Sequence, residues 1–118
     1  MVGGTDRPTE IVDRFPRFMT EVQQMTGRSD PDEARDVLHR MALDADRLRH
    51  LRCPLAVVHG TPDRVFRVEG ARRLHAGAGS PDKTLIEFAD GDHCVTNRSH
   101  EKHTLVADWF ADRLARPA

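Results

Sequence analysis

The sequence has no excess of charge of either sign, no long hydrophobic run and few cysteines. Lysine and arginine together number 18 against 19 aspartates and glutamates, which gives a net charge of −1. This balance provides no electrostatic basis for binding nucleic acid or an anionic membrane. No apolar run approaches the roughly 20 residues of a membrane-spanning helix, and the first residues lack the pattern of a signal peptide. We therefore expect no nucleic-acid partner and no membrane partner.

The two cysteines, Cys53 and Cys94, are too few for a disulfide framework. Reduced thiols are typical of the cytosol, so the sequence predicts a cytoplasmic location. The 118 residues suffice for one domain with a modest core. A composition of 38% hydrophobic and 31% charged residues is typical of a soluble globular protein.

Two apolar stretches, each followed by a polar loop, carry the chemical signal. Leu55 to Val58 is a continuous apolar run bounded by Pro54 and by Gly60-Thr61-Pro62, which predicts a strand buried on both faces of a parallel sheet. Asp63 follows on the loop at its carboxyl end, where open α/β sheets place their chemistry. A second strand, predicted from Thr84 to Phe88, leads into the loop that carries His93. An acid and an imidazole at one sheet edge have the roles of orienting group and proton carrier in a nucleophilic triad.

The rest of the chain is predicted to be helical. Apolar residues recur at helical spacing from Ile11 to Met25, with Thr9 as the cap and Pro16 as a kink or break. Gly27 ends that segment, and the sequence from Asp30 predicts a second capped helix that extends to Ala42. Further helices are predicted after Asp44 and over residues 68–75 and 101–115. The final helix carries one apolar face, formed by Leu105, Val106, Trp109, Phe110 and Leu114.

The stretch from Leu51 to Leu114 resembles the C-terminal third of an α/β-hydrolase. The motifs that carry this resemblance are His59-Gly60-Thr61-Pro62-Asp63, Gly91-Asp92-His93-Cys94 with Asn97, and Ala107-Asp108-Trp109. More narrowly, the second and third of these motifs are similar to the dihydroxypseudooxynicotine hydrolase branch and its dienelactone-hydrolase-like relatives. Val2-Gly3-Gly4 also resembles the end of the strand that follows the nucleophile helix in that branch, and Met1-Val2 is a candidate strand stub.

The resemblance implies a partial α/β-hydrolase fold that acts on an ester, a lactone or a ketone C–C bond. It implies Asp63 and His93 as the acid and base of a Ser-His-Asp triad, a small-molecule ester or ketone substrate, and neither a cofactor nor a metal. Residues 1–50 would form a helical cap-like segment over the substrate, and residues 51–118 the C-terminal part of the hydrolase core. The alternative for the first segment is that its helices only cover the sheet. Phe15, Phe18, Met19 and Met25 could line an apolar pocket, but at helical spacing such residues are more often core residues.

The sequence contains no nucleophile elbow of the form Gly-x-Ser-x-Gly, which must precede the acid in an α/β-hydrolase. Ser29, Ser80 and Ser99 all lie in other contexts. We therefore expect a C-terminal part of a longer hydrolase that is inactive alone. The predicted sheet is small, and its open edge favours self-association or pairing with a nucleophile-bearing chain. The alternative is a non-catalytic small α/β binding or interaction protein that pairs with another chain.

Several residues allow a second interpretation. Asp63 could be an ordinary turn aspartate, and His93 a loop histidine. His59, at the end of the buried strand, is predicted to be structural and bonded to the backbone. Asp92 and Asn97 are expected to hold the histidine loop through bonds from side chain to backbone.

Cys94 is a candidate nucleophile because it neighbours His93. Sequence neighbours on a tight loop usually point apart, however, and the imidazole is expected to turn toward Asp63. A metal site formed by His93, Cys94, His100 and His103 is conceivable, although the set matches no usual zinc spacing.

Overall fold

The computed structural model describes residues 5–116. Two strands, six α-helices and two short 3₁₀ segments make up this part of the chain. None of its helices has the length and apolarity needed to cross a membrane. In chain order the elements are α1 (Glu10–Arg14), a 3₁₀ turn (Pro16–Phe18), α2 (Met19–Thr26), α3 (Pro31–Arg40), α4 (Ala45–Leu48), β1 (Leu55–Gly60), α5 (Val68–Gly77), β2 (Lys83–Phe88), a second 3₁₀ segment (His93–Arg98) and α6 (Ser99–Leu114).

The two strands pair in parallel, with Leu55 opposite Lys83 and Gly60 opposite Phe88. Because parallel neighbours need a crossover, α5 connects them. This is the strand-helix-strand-helix order that the sequence predicted. β1 is two residues longer than expected because its pairing with β2 continues to Gly60. The expected strand stub at Met1-Val2 and the resemblance at Val2-Gly3-Gly4 lie outside the described residues.

The helices before β1 follow their sequence signals, with one exception. Pro16 divides the first helical segment, and Gly27 ends α2 in the left-handed conformation at φ 68°. The Asp30 side chain accepts hydrogen bonds from two backbone amides at the start of α3. The predicted Thr9 cap is wrong, because Thr9 is itself helical and its side chain makes no capping bond.

The core is divided into two clusters. The first joins α1, α2 and α3 through Val12, Val22, Ala34 and Leu38, with Met19 packed against it. The second lies between the sheet, α4 and α5 and contains Leu48, Val57, Ala71 and Leu74. Phe15 and Phe18 contact each other edge to face, and Met25 is two-thirds exposed, so these three side chains do not join the first cluster.

The apolar face of α6 is only partly covered, because Leu105, Val106 and Trp109 are half-buried. Of its 16 residues, all of them described, Lys102 is the one that is buried, whereas Phe110 is 54% and Leu114 82% exposed. Polar contacts position α6 instead: Lys102 Nζ donates to the Cys94 carbonyl at 2.8 Å, and the Arg113 guanidinium binds Asp82 at 2.6 and 2.8 Å. An apolar surface between α6 and β1 is therefore left exposed.

Candidate functional site

Two glycines bring the loops after β1 and β2 into contact. A Cβ atom on Gly60 would lie 2.1 Å from the carbonyl oxygen of Gly91, and one on Gly91 would lie 3.0 Å from the Gly60 Cα. No larger residue fits at this separation, because real Cβ contacts are essentially never shorter than 3.0 Å. The backbones of the two loops therefore touch at the carboxyl edge of the sheet.

The Asp63 side chain is fully buried behind β1. Its Oδ1 atom accepts hydrogen bonds from the backbone amides of Val65 at 2.7 Å and Phe66 at 3.1 Å. These bonds close the turn that enters α5 and satisfy part of the buried carboxylate. The interpretation of Asp63 as a turn residue therefore describes one of its two roles in the structure.

The second role of Asp63 is its contact with His93. The Nδ1 atom of His93 lies 3.0 Å from Oδ2 and 3.2 Å from Oδ1 of Asp63, across 30 positions of sequence. A carboxylate accepts only, so Nδ1 carries the proton, and Nε2 is left as an acceptor. The His93 side chain is 40% exposed, and its ring packs edge to face on Phe66. The structure thus brings the two predicted site residues together, with the basic nitrogen directed away from the acid.

A second imidazole also contacts Asp63. His59 is completely buried, with Nε2 at 3.1 Å from the Phe66 carbonyl and 3.5 Å from Asp63 Oδ2. The predicted backbone bond of His59 is confirmed, but its approach to the carboxylate was not expected. The spacing of four residues between His59 and Asp63 across the strand end was the signal that could have indicated it. Its Nδ1 atom has no partner among the described residues.

Cys94 lies on the opposite side of the His93 ring from Asp63. Its Sγ atom is 3.4 Å from His93 Nε2, so the expectation that these neighbours point apart is wrong. The reason is local: Cys94 at φ 59° and Val95 at φ 55° both adopt the left-handed conformation, which folds the chain back on itself. Two contacts stabilise this strained backbone: the Val95 side chain is buried, and Lys102 donates a hydrogen bond to the Cys94 carbonyl.

The histidine loop is held as the sequence predicted. Asp92 accepts from the amides of Thr96 and Asn97 and from the Thr96 hydroxyl, while Asn97 Oδ1 accepts from the Asp92 amide. The hydrogen bond from Thr96, together with those two amides, holds the pKa of the Asp92 carboxyl below its ordinary value. Arg98 lowers the pKa of Asp90 in the same way. His93 therefore sits on a loop fixed by hydrogen bonds at both ends.

Among residues 5–116, no serine hydroxyl is hydrogen-bonded to the His93 imidazole. Ser80 closes a turn with Asp82, and the Ser99 hydroxyl donates to the Thr96 carbonyl. Across residues 5–116, no three His, Cys, Asp or Glu side chains are grouped so that they could hold a metal ion.

His93 borders an open cleft of about 390 Å³, lined also by Pro62, Arg64, Val65, Asp90 and Asp92. A more voluminous cavity of about 700 Å³ lies elsewhere, between α3, α4 and α5. We take the smaller cleft as the functional candidate, because the oriented imidazole opens into it and ligand sites are recognised by convergent polar groups.

Comparison with known proteins agrees with this architecture. The chain is similar to the crystal structure of 2,6-dihydroxy-pseudo-oxynicotine hydrolase, with 24% identity and a TM-score of 0.80 over 96% of this chain and 32% of that one. It is also similar to MGS-MChE2, an α/β-hydrolase from the metagenome of lagoon sediments at Mar Chica, Morocco (19% identity, TM-score 0.60, 87% of this chain and 47% of that one). A monoacylglycerol lipase from Paleococcus ferrophilus gives 21% identity and a TM-score of 0.55 over 92% and 44% of the two chains.

At these identities the likeness shows the fold, which is part of an α/β-hydrolase fold. The chain spans about a third to a half of the length of these structures. In addition, the sequence model described as serine aminopeptidase, S33, matches residues 13–100, which is more than half of the chain.

Proposed function

Because this chain belongs to the serine aminopeptidase S33 family of hydrolases, we propose that it supplies the acid and the base of a Ser-His-Asp triad. Asp63 is the acid and His93 the base, and the serine comes from a segment outside this sequence. The substrate is a small molecule with an ester, a lactone or a ketone C–C bond. The observation that carries the proposal is the 3.0 Å contact between His93 Nδ1 and the buried Asp63 carboxylate.

The mechanism follows from the tautomer that this contact sets. Nε2 of His93 takes the serine proton as the oxygen attacks the substrate carbonyl, and then returns it to the leaving group. Asp63 keeps the imidazole oriented and stabilises its protonated form. Because the Asp63 side chain is inaccessible to solvent, its attraction to the imidazolium is screened less than at an exposed site. Water then releases the acyl group from the serine.

The exposed apolar surface supports a partner on the open side of the sheet. A shallow cavity of about 160 Å³ lies between β1 and α6, lined by Leu55, Val58, Val106 and Trp109 among others. In an α/β-hydrolase the nucleophile strand belongs to the same parallel sheet as the acid strand. We propose that the nucleophile-bearing segment covers this surface, either in a longer chain or as a separate chain. The isolated chain then has no serine-dependent turnover.

The test uses the DNA preceding this coding sequence. If that DNA encodes Gly-x-Ser-x-Gly in any frame, the joined protein is expressed and assayed for turnover of p-nitrophenyl esters. We expect Asp63→Asn to lower kcat by about 10⁴-fold and His93→Gln by at least as much. His100→Gln, an exposed histidine on α6, serves as the control and should leave kcat unchanged. A joined protein whose turnover survives both site substitutions would refute the assignment.

A second function, a non-catalytic α/β module that pairs with another chain, is favoured by the same exposed surface on α6 and β1. Phe110 and Leu114 are more than half exposed, and apolar groups of this size commonly mark a protein interface when they lie in one patch. Preceding DNA without an elbow, combined with a cooperative, monomeric and inactive isolated chain, would favour this module over the hydrolase part.

A further inference from the structure

We infer that Cys94 is a reactive thiol that small soft electrophiles modify covalently, with His93 as the group that takes its proton. The inference rests on the juxtaposition of Cys94 Sγ, His93 and Asp63. It needs no serine and no second segment, so it stands or falls separately from the proposed hydrolase function.

The hydrogen bonding fixes the direction of proton transfer. Asp63 lies 3.0 Å from Nδ1 of His93 and can only accept, so the proton of the neutral imidazole is on Nδ1. Nε2 therefore has a free lone pair, and Cys94 Sγ lies 3.4 Å from it. The thiol is consequently the donor in this contact. An activated nucleophile generally lies within hydrogen-bond reach of a base, and a third group orients that base.

The backbone holds the sulfur in this position. Cys94 and Val95 both have left-handed backbone conformations. The Val95 side chain is 0% exposed, so it anchors this stretch of backbone in the protein interior. Lys102 donates to the Cys94 carbonyl from a buried position on α6. These contacts fix the backbone position from which the Cys94 side chain reaches the imidazole.

The reaction balances without any further reagent. His93 Nε2 takes the proton from Cys94 Sγ, and the resulting thiolate attacks the methylene carbon of a haloacetamide such as iodoacetamide. The S–C bond forms as the C–I bond breaks, and iodide leaves with the bonding electrons. The imidazolium then releases its proton to water, since the His93 side chain is 40% exposed.

Cys53 provides an internal reference in the same molecule. It is exposed, whereas Cys94 is only partly exposed, so accessibility alone would make Cys53 react faster. Removal of the Cys94 proton by the adjacent imidazole is expected to give a rate about tenfold above that of Cys53, which has no such base beside it among the described residues. Trypsin separates the two residues, into the peptides 53–64 and 84–98.

The experiment measures alkylation of both peptides by iodoacetamide at pH 7 in the isolated wild-type chain. We expect the ratio of the Cys94 rate to the Cys53 rate to be about ten. It should fall to about one in concentrated urea, where the contact is lost, and in folded His93→Gln. Asp63→Asn should lower the ratio severalfold, and His100→Gln should leave it unchanged. A native ratio below one, or a ratio that persists in urea, overturns the inference whether or not the substituted chains fold.

Discussion

Replacing Gly60 by alanine tests whether the contact between the two loops is what joins the acid to the base. The new Cβ would lie 2.1 Å from the Gly91 carbonyl oxygen and 2.5 Å from that of Asp92. Both obstacles are backbone atoms of the histidine loop, so no side chain can move aside. The shorter distance must lengthen by about 0.9 Å to reach 3.0 Å, the limit that real Cβ contacts respect.

A displacement of that size is sufficient to break the contact at the site. If the loops separate by about 0.9 Å, the 3.0 Å distance from His93 Nδ1 to Asp63 Oδ2 grows to about 3.9 Å, which is beyond hydrogen-bond range. Overpacking of this kind also costs about 1–3 kcal/mol of unfolding free energy. Gly60→Ala should therefore lower the urea midpoint and change the ¹⁵N chemical shifts of the His93 ring.

Gly79→Ala is the matched control for this prediction. Its Cβ would also meet a backbone carbonyl oxygen at 2.1 Å, that of Arg49, but at a position remote from the loops of Asp63 and His93. We expect a similar loss of stability with unchanged His93 shifts. The reasoning from loop contact is refuted if Gly60→Ala leaves both the urea midpoint and the His93 ring ¹⁵N shifts as in the wild type. It is also refuted if Gly79→Ala changes the His93 ring shifts equally.

Three further predictions concern the core, a helix cap and acid stability. Leu74→Ala should lower the free energy of unfolding in urea by about 2–5 kcal/mol, because the side chain is 1% exposed. Leu114→Ala, at a position that is 82% exposed, should change it by no more than about 0.5 kcal/mol. Equal losses would contradict the assigned burial. Asp30→Ala should lower stability by about 1 kcal/mol, because its side chain accepts hydrogen bonds from two backbone amides. Thr9→Ala should leave the melting temperature unchanged, because Thr9 makes no capping bond. A larger effect of Thr9→Ala than of Asp30→Ala would contradict the cap assignment. Since the Asp92 pKa is lower folded than unfolded, its stabilisation is complete above about pH 4 and is lost as the pH falls through the folded value. Asp92→Asn should therefore flatten the fall of the urea midpoint below about pH 4, and an unchanged slope would show that this carboxylate does not contribute.

The sequence was sufficient to predict the strand order and the convergence of Asp63 with His93. A continuous apolar run followed by a turn indicates a buried parallel strand, and successive parallel strands deliver their loops to one edge. The helix starts were predictable where a side chain makes a local bond, as Asp30 does. Thr9 has the right residue type for a cap, but its backbone is helical, and composition does not reveal that.

Other features depend on contacts that no local pattern encodes. The turn of Cys94 toward His93 requires left-handed backbone at Cys94 and Val95, which is unfavourable for both residue types, and for a β-branched valine above all. The apolar stripe on α6 indicates that a face will be covered, but periodicity cannot say whether this chain or another segment covers it. The division of residues 1–50 and 51–118 into a cap-like segment and a core stays a prediction.

The bonding of Asp63 bears on how homologous sequences should be interpreted. One carboxylate accepts from the two amides that shape the turn into α5 and also receives the imidazole of His93, with His59 close behind. Its loss would disrupt the local chain path as well as the orientation of the histidine. A relative that had abandoned hydrolysis would thus still have a structural reason to retain aspartate here. Retention of this residue alone is therefore poor evidence of a working enzyme, whereas its loss is strong evidence against one.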